Sequence, residues 1–512
     1  MHNHLGQIGT FEHRLNASEV TYFALFLAST ALMVLSSSAI IVIIWVFIWL
    51  FAKYFSTRTK GSQFLMFWLG FVLFYPAVSD SFSFPFHEYA VVETLVWLIL
   101  GLTYFAELKA SLSSSRLLRI VFLGWIVLGL LAYLPVFLAW FGEEILHVSL
   151  GNTFDFVTYY ATSSSKRTLS VITSVVAASM PIVALKDLKD FQAFTKAIAA
   201  GSAILLVLSF LQLLFEIRLV SSSYPQLPGR YAGFSIPDAN HYAFQLLMPL
   251  LLVTSVLMDR FRRSNPLEWM VLPLGVLAIA LTQSRMAYLS LTVGFVILLL
   301  LNLQSGRSWL VMFTIFAVVA IALFAFGLLD AFAPGSERLS TTNLEGRYSL
   351  YRTALEVVLA SPWFGTLPGG WGTALLEGDW GYYTSGYLQG VHNMVLNIAV
   401  EFGIPMAVIL LSALLGSGIY GLMVLSKTRQ SVHAEGIGEI LKIARGVVSL
   451  SVVFFVFGLT EVVPPDYVFM LFGISIAIRT YLRKSTMRGN ILQGKRPIPQ
   501  RIHASPTSVT GR

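Results

Sequence analysis

Four residues in the second half of the 512-residue chain have the types and settings to do chemistry: Arg230, Arg285, Arg347 and His392. A guanidinium presents a rigid fork of donors that grips phosphate oxygens two at a time. An imidazole takes up a proton near neutral pH, as a general base must. Arg230 sits in the turn-rich run Pro228-Gly229-Arg230-Tyr231-Ala232-Gly233, with Pro237-Asp238-Ala239-Asn240 following at the head of an apolar segment. A helix N-terminus there would favour an anion; a loop arginine paired with Asp238 is the plainer alternative. Arg285, beside Ser284, interrupts the apolar stretch 267–302. At membrane depth a charge costs about 2.5 kcal/mol or more, so Arg285 either faces a cavity or partner, or snorkels to headgroups from the outer end of a helical hairpin.

Arg347 and Arg352 belong to Glu345-Gly346-Arg347-Tyr348-Ser349-Leu350-Tyr351-Arg352, continuing through Glu356 to Leu359. Apolar positions 350, 351, 354, 355, 358 and 359 have helical spacing, which predicts an amphipathic helix ending near Pro362. Arg352 can pair with Glu356 one turn on. Arg347, expected in the first turn beyond Gly346, has no acidic residue at i+3 or i+4 and is the better ligand candidate. His392 opens the apolar run 392–425, where it is either a proton acceptor at a water–membrane boundary or simply a polar helix start. Between them lie Gly369, Gly370, Trp371, Gly372, Trp380, Tyr382 and Tyr383. Such aromatic faces can stack on sugar rings, or they can form the aromatic belt of a membrane interface. Phosphate-binding loops, zinc-protease motifs, nucleophile elbows and cysteine–histidine metal patterns are all missing, and Glu377 with Asp379 is the nearest approach to a metal-binding acidic pair. The inventory fits a site built from Arg and His, with no metal and no cofactor.

The elements that must carry these residues follow from composition. Apolar and aromatic residues make up 56% of the chain and charged residues only 12%, with mean hydropathy +0.74 and no cysteine. A soluble domain carries about 25% charged residues, and a soluble chain this apolar would expose large sticky patches. Disordered, collagen-like and disulfide-rich secreted classes are excluded too. The expectation is an all-α integral membrane protein. Apolar runs long enough to span occur near 22–36, 38–53, 63–79, 89–106, 120–141, 168–185, 197–215, 240–258, 267–283, 286–302, 309–329, 392–425, 446–460 and 467–482, giving about 12–14 transmembrane helices. The start of the chain lacks the layout of a cleavable signal peptide.

Basic residues orient the spans. With both termini cytoplasmic, the inside segments hold 26 of the 34 Lys and Arg residues; positive charge gathers on the cytoplasmic side of membrane proteins. The net charge of +8 therefore needs no nucleic acid, only anionic membrane lipids. The eight left outside are Lys166, Arg167, Arg218, Arg230, Arg285, Arg338, Arg347 and Arg352, seven of them arginine. The outer face also carries one long loop, about 330–391. Long loops are usually functional or disordered, and this one is too rich in Trp, Tyr and Leu for disorder. The expected organisation is an N-terminal cytoplasmic segment 1–19, a membrane domain 20–482 and a basic, disordered cytoplasmic tail 483–512.

Taken in order, these elements resemble the O-antigen ligase and Wzy-type O-antigen polymerase superfamily. His392-Asn393, nine residues and then Gly403 are similar to its signature His-Asn followed by a Gly-x-x-Gly/Thr/Tyr step, with Met406 departing at the last position. Arg347 through Pro362 to Gly365 resembles its arginine-bearing helix and Pro-x-x-Gly turn. Thr282-Gln283-Ser284-Arg285 resembles its Ser-Arg element between spans, and Arg230 to Asn240 the Arg-x-x-Gly and Pro/Asn element before another. The resemblance covers about 228–406, within a ligase-like core of about 200–425. It implies a GT-C-like, metal-independent inverting glycosyltransferase of the bacterial inner membrane, with one long helical periplasmic loop. Its donor would be a polyprenyl-diphosphate-linked saccharide, and its acceptor a glycan or lipid A–core. Arg230, Arg285 and Arg347 would then bind the diphosphate and His392 would be the base. Trp371, Trp380, Tyr383 and Asn393 would be candidate saccharide contacts. Met406 and the chain length lean toward a polymerase while His-Asn suits a ligase, so both stay open.

Two other classes compete. A flippase for lipid-linked saccharide would be expected to show an internal repeat and charges within spans; no repeat is visible, and the acidic residues nearest span interiors are only Glu93, Glu401 and Glu461. A cell-wall glycan polymerase would be expected to use an essential acidic residue in its outer loop.

Overall fold

The computed structural model describes residues 119–131 and 174–179 in part, and then 181–214, 239–260, 266–302, 341–366, 391–428, 437–461 and 463–492. Helices and turns account for these, with no strand among the described residues. In chain order the helices are α1 (Leu188–Leu214), α2 (Ala239–Arg260), α3 (Pro266–Thr282), α4 (Arg285–Leu301) and α5 (Thr341–Ala360). Then come α6 (Met394–Phe402), α7 (Ile404–Thr428), α8 (Ile437–Gly458) and α9 (Pro465–Leu492). Four candidate membrane spans fall in α1, α2, α7 and α8, while α3 and α4 are shorter apolar helices. At ~1.5 Å per residue the 22 residues of α8 cover roughly a bilayer's hydrocarbon core. The chain is an all-α membrane protein. The runs expected before residue 119 and at 309–329 lie outside the described residues.

Among the described residues, the runs 240–258, 267–283 and 286–302 became α2, α3 and α4 to within two residues at each end, while α1 and α8 begin about nine residues before the runs expected there. One did not stay whole: 392–425 is split into α6 and α7 at Gly403, whose φ of +86° no helix can contain. Hydropathy is blind to this, because both sides of the break are equally apolar. At the C-terminus α9 continues to Leu492, beyond the boundary of 483 drawn for a disordered tail. The apolar pattern stops there, but backbone hydrogen bonds do not need it. Likewise α5 begins at Thr341, so Gly346 is inside the helix and Arg347 lies in its second turn rather than its first.

The bundle centres on α8, packed by α2, α4, α7 and α9. The helices pair in a consistent register. Asn302 at the end of α4 accepts a hydrogen bond from Arg445 near the start of α8 and donates to Met258 Sδ near the end of α2. Midway, Ser449 donates to the Gly294 carbonyl at 2.8 Å, a polar tie at a close helix crossing. Phe191 of α1 meets Tyr481 of α9, and Arg479 lies 4.6 Å over the Tyr420 ring. Basic side chains of α8 and α9 thus collect at one end of the bundle. The other end holds the head of α2, the α3–α4 turn, the start of α5, His392 and the α8–α9 connection. Beneath that end Phe244 packs on Phe454, Phe457 and Tyr467, with ring centroids 4.9 to 5.1 Å apart.

Candidate active site

The nine residues between Asn393 and Gly403 are the whole of α6, so the motif's spacing is a helix with a cap at each end. The Asn393 side chain accepts from Leu396 N–H at 2.9 Å, a standard N-cap that satisfies an orphan donor. Its amide donates to the Leu459 carbonyl at 3.0 Å, so Asn393 is a structural clamp in this arrangement. Gly403 ends α6 at φ +86° and Gly365 turns at φ +68°. The two glycines press backbone on backbone: a Cβ on Gly365 would strike Val400 O, and one on Gly403 would strike Trp363 O. Hydrogen bonds lock the seam, Ile404 N–H to Pro362 O at 2.8 Å and Thr366 N–H to Val400 O at 2.7 Å. The Pro-x-x-Gly turn and the His-Asn…Gly motif are therefore two halves of one joint. It fixes α5 beside α6, running in the same direction. Met406, the departure from the motif, is fully buried in the core.

His392 stands just before α6 with φ +51°, an uncommon backbone state for a residue with a Cβ. Three contacts hold it. Tyr351 of α5 donates its hydroxyl to the His392 carbonyl at 3.0 Å, the Asn393 cap follows, and Nδ1 lies 3.2 Å from Glu461 Oε2. Burial pushes the Tyr351 phenol above its usual range; Arg347 pulls it back and Glu461 adds to the rise. The phenol therefore stays protonated and can donate.

Glu461 is the centre of the arrangement. It follows α8 directly and its side chain is only 6% exposed. Besides His392, its Oε1 accepts from Arg347 Nη2 at 3.4 Å and from Asn240 Nδ2 at 3.2 Å. Four separate chain segments, the head of α2, α5, the residue preceding the α6 N-cap and the segment just after α8, thus meet at one carboxylate. A buried charge needs such partners. Arg347 and His392 keep 40% and 30% of their side chains exposed, so a solute can reach both. With Nδ1 on the carboxylate, Nε2 is the ring nitrogen left to work. Arg352 makes the expected pair with Glu356 at 3.0 Å and takes no part.

Arg285 sits at the turn between α3 and α4. Gln283, at φ +52°, and Ser284 break the chain between α3 and α4. Ser284 caps α4 by accepting from Ala287 N–H at 3.4 Å, and Tyr288 braces the turn by donating to Ala280 O at 2.6 Å. Arg285 follows as the first residue of α4, half-buried. The register of α4 against α8 sets it at the same end of the bundle as Glu461. Arg230, Trp371, Trp380 and Tyr383 lie outside the described residues.

Sequence reasoning missed Glu461 and Tyr351 as site residues. Glu461 carried a signal, being one of the few acidic residues near an apolar span. Tyr351 carried none beyond its apolar spacing on α5. Asn240 was in view only as part of the element following Arg230.

An all-helical membrane chain with a histidine, an arginine and a buried acid at one end of its bundle is the class that fold and site define. Residues 270–411 match the O-antigen ligase family, which supports placing the chain in the O-antigen ligase/polymerase superfamily. The matched stretch contains Arg285, Arg347, His392 and Gly403, whereas Asn240 and Glu461 fall outside it. No curated protein matches the chain.

Proposed function

We propose that this chain is a GT-C-like, inverting, metal-independent glycosyltransferase of the bacterial inner membrane. It moves a polyprenyl-diphosphate-linked saccharide onto a glycan or lipid A–core acceptor at the periplasmic face. The observation that carries the reading is the convergence of His392 and Arg347 on Glu461, at the bundle end away from the basic side chains of α8 and α9. In one displacement, the acceptor hydroxyl oxygen bonds to the anomeric carbon while the bond to the diphosphate breaks. The proton passes to His392 Nε2, and the diphosphate leaves with the electron pair. Charge grows on that leaving group, and fixed cations aimed at it are typically the largest single source of rate. Arg347 supplies one such cation, and Arg285 and Arg230 are assigned the others. Attack from the face opposite the leaving group inverts the centre. Trp371, Trp380 and Tyr383, in the long periplasmic loop, are assigned to the saccharide.

The test is transfer from a purified lipid-linked oligosaccharide by the full-length protein in vesicles. His392→Ala is expected to slow transfer by about 100-fold or more, within the usual worth of a general base, with membrane insertion unchanged. Full activity in that variant would remove the base assignment. Ligase and polymerase separate by product: a single saccharide block transferred to lipid A–core, or a lengthening chain. A cell-wall polymerase reading instead requires an acid as the essential group. It gains support if Glu377→Gln or Asp379→Asn abolishes transfer while His392→Ala does not.

A further inference from the structure

The buried side of α5 is accounted for: Leu350, Ala354 and Val358 are in the core. Its opposite side carries the exposed Arg352–Glu356 pair and, around it, an apolar stripe. Tyr348, Leu355, Leu359 and Trp363, in the turn that follows, recur at spacings of seven, four and four and are 71%, 52%, 68% and 70% exposed. Such spacing puts them on one stripe of the helix. A water-facing helix has no reason to carry it. The stripe does not stop at the end of α5. The turn 362–365 is hydrogen-bonded to Ile404, the first residue of α7, and Phe364 beside it is exposed. From Ile404 onward α7, a candidate span, shows its own exposed stripe of Val408, Leu415, Ile419 and Leu422. The surface that faces lipid on α7 therefore abuts the exposed end of α5.

We propose that the outer stripe of α5 is seated in the lipid of the bilayer, as an interfacial helix clamped to the membrane domain rather than a helix standing in water. The chemistry is that of such helices: aromatic residues, Tyr348 and Trp363, at the two ends and leucines between. Arg352 lies in the same stripe. Its charge is matched by Glu356, and its length lets the guanidinium reach the headgroups. The consequence concerns the other face. Arg347, on the same helix, is held at the depth where the phosphates of any membrane-embedded lipid lie. The seating itself does not depend on the proposed transfer reaction.

The chain has no cysteine, so single-cysteine variants of the full-length protein label at one site only. Leu355→Cys and Leu359→Cys carry an environment-sensitive fluorophore after reconstitution into phosphatidylcholine vesicles. Leu415→Cys serves as the lipid-facing reference and Lys484→Cys as the water-facing one. All four side chains are exposed, so the core is not disturbed. Acyl-chain-brominated phosphatidylcholine is expected to quench positions 355 and 359 to within about twofold of the loss at 415, with little quenching by aqueous iodide. Quenching by iodide and not by brominated lipid would overturn the proposal, because the stripe would then face water. Protection from both would overturn it as well, because protein would then cover the stripe. Neither outcome touches the transfer assay, so the two readings fail separately.

Discussion

Replacing Glu461 by glutamine tests the site most directly, because shape is kept while the charge and one acceptor are lost. The carboxylate takes Asn240 and Arg347 on Oε1 at 3.2 and 3.4 Å, and His392 on Oε2 at 3.2 Å. A glutamine offers one acceptor oxygen, and its amide is itself a donor. Three donors then compete for one oxygen, and one must face an N–H. A hydrogen bond to a charged group is worth about 1.5–3 kcal/mol. The Arg347 pair counts for little of this, since that side chain is 40% exposed and solvent screens it. The loss falls on His392, whose ring is no longer held with Nε2 outward. At ~1.4 kcal/mol per tenfold in rate, transfer should slow ~10- to 100-fold, mainly in kcat, with donor KM changed by less than about threefold. The assay is transfer in vesicles at saturating donor and acceptor, on protein whose thermal midpoint has been checked. A decisive control is the double variant: if Glu461 acts through His392, adding Glu461→Gln to His392→Ala should cost nothing further. Additive losses, or a folded Glu461→Gln with full kcat, would refute the positioning role.

Two further outcomes follow from the joint and its brace. Gly403→Ala puts a Cβ against the Trp363 carbonyl at φ +86°, a conformation costing about 1–3 kcal/mol before any clash; the expected result is a sharp drop in thermal stability or in recoverable folded protein. Tyr351→Phe removes the hydroxyl proton donated to His392 O at 3.0 Å, with Leu459 O at 3.4 Å as a second acceptor of the same proton, and should cost about 0.5–1.5 kcal/mol. Burial raises the Tyr351 phenol's pKa in the folded state, so the unfolded chain loses that proton first. This contribution is thus complete below the unfolded phenol's pKa, ~10, and fades as pH rises through the folded value. The loss of stability at alkaline pH, followed by thermal unfolding, should be smaller in Tyr351→Phe.

Much of this was readable from residue order alone, for identifiable reasons. The amphipathic spacing of 350–359 gave a helix because side chains three and four apart share a face. The caps that Ser284 and Asn393 place on α4 and α6 were not read from residue order, where Ser284 stood only beside Arg285 and Asn393 was a candidate saccharide contact; short side chains at such positions satisfy free N–H groups. Arg347 was singled out because no acid stood one turn away, and the structure shows the acid it uses instead, 114 residues on. Gly403 was known as a motif position but not as a break, since only its positive φ and the backbone pressed against it explain why a side chain cannot stand there.

By itself the sequence determined that the chain lives in a bilayer, which of the described segments are helices, and which few polar residues those helices cannot hide. Those properties are local or compositional: about 20 apolar residues in a row can hide only in lipid or in a core. Tertiary structure alone decided that Asn240, Arg347 and His392 meet at Glu461, and that α5 leaves Leu355 and Leu359 exposed rather than buried. Convergence of residues 69 to 221 positions apart depends on how α2, α5 and α6 pack around the end of α8. The burial that makes Glu461 need three partners exists only once that packing has formed.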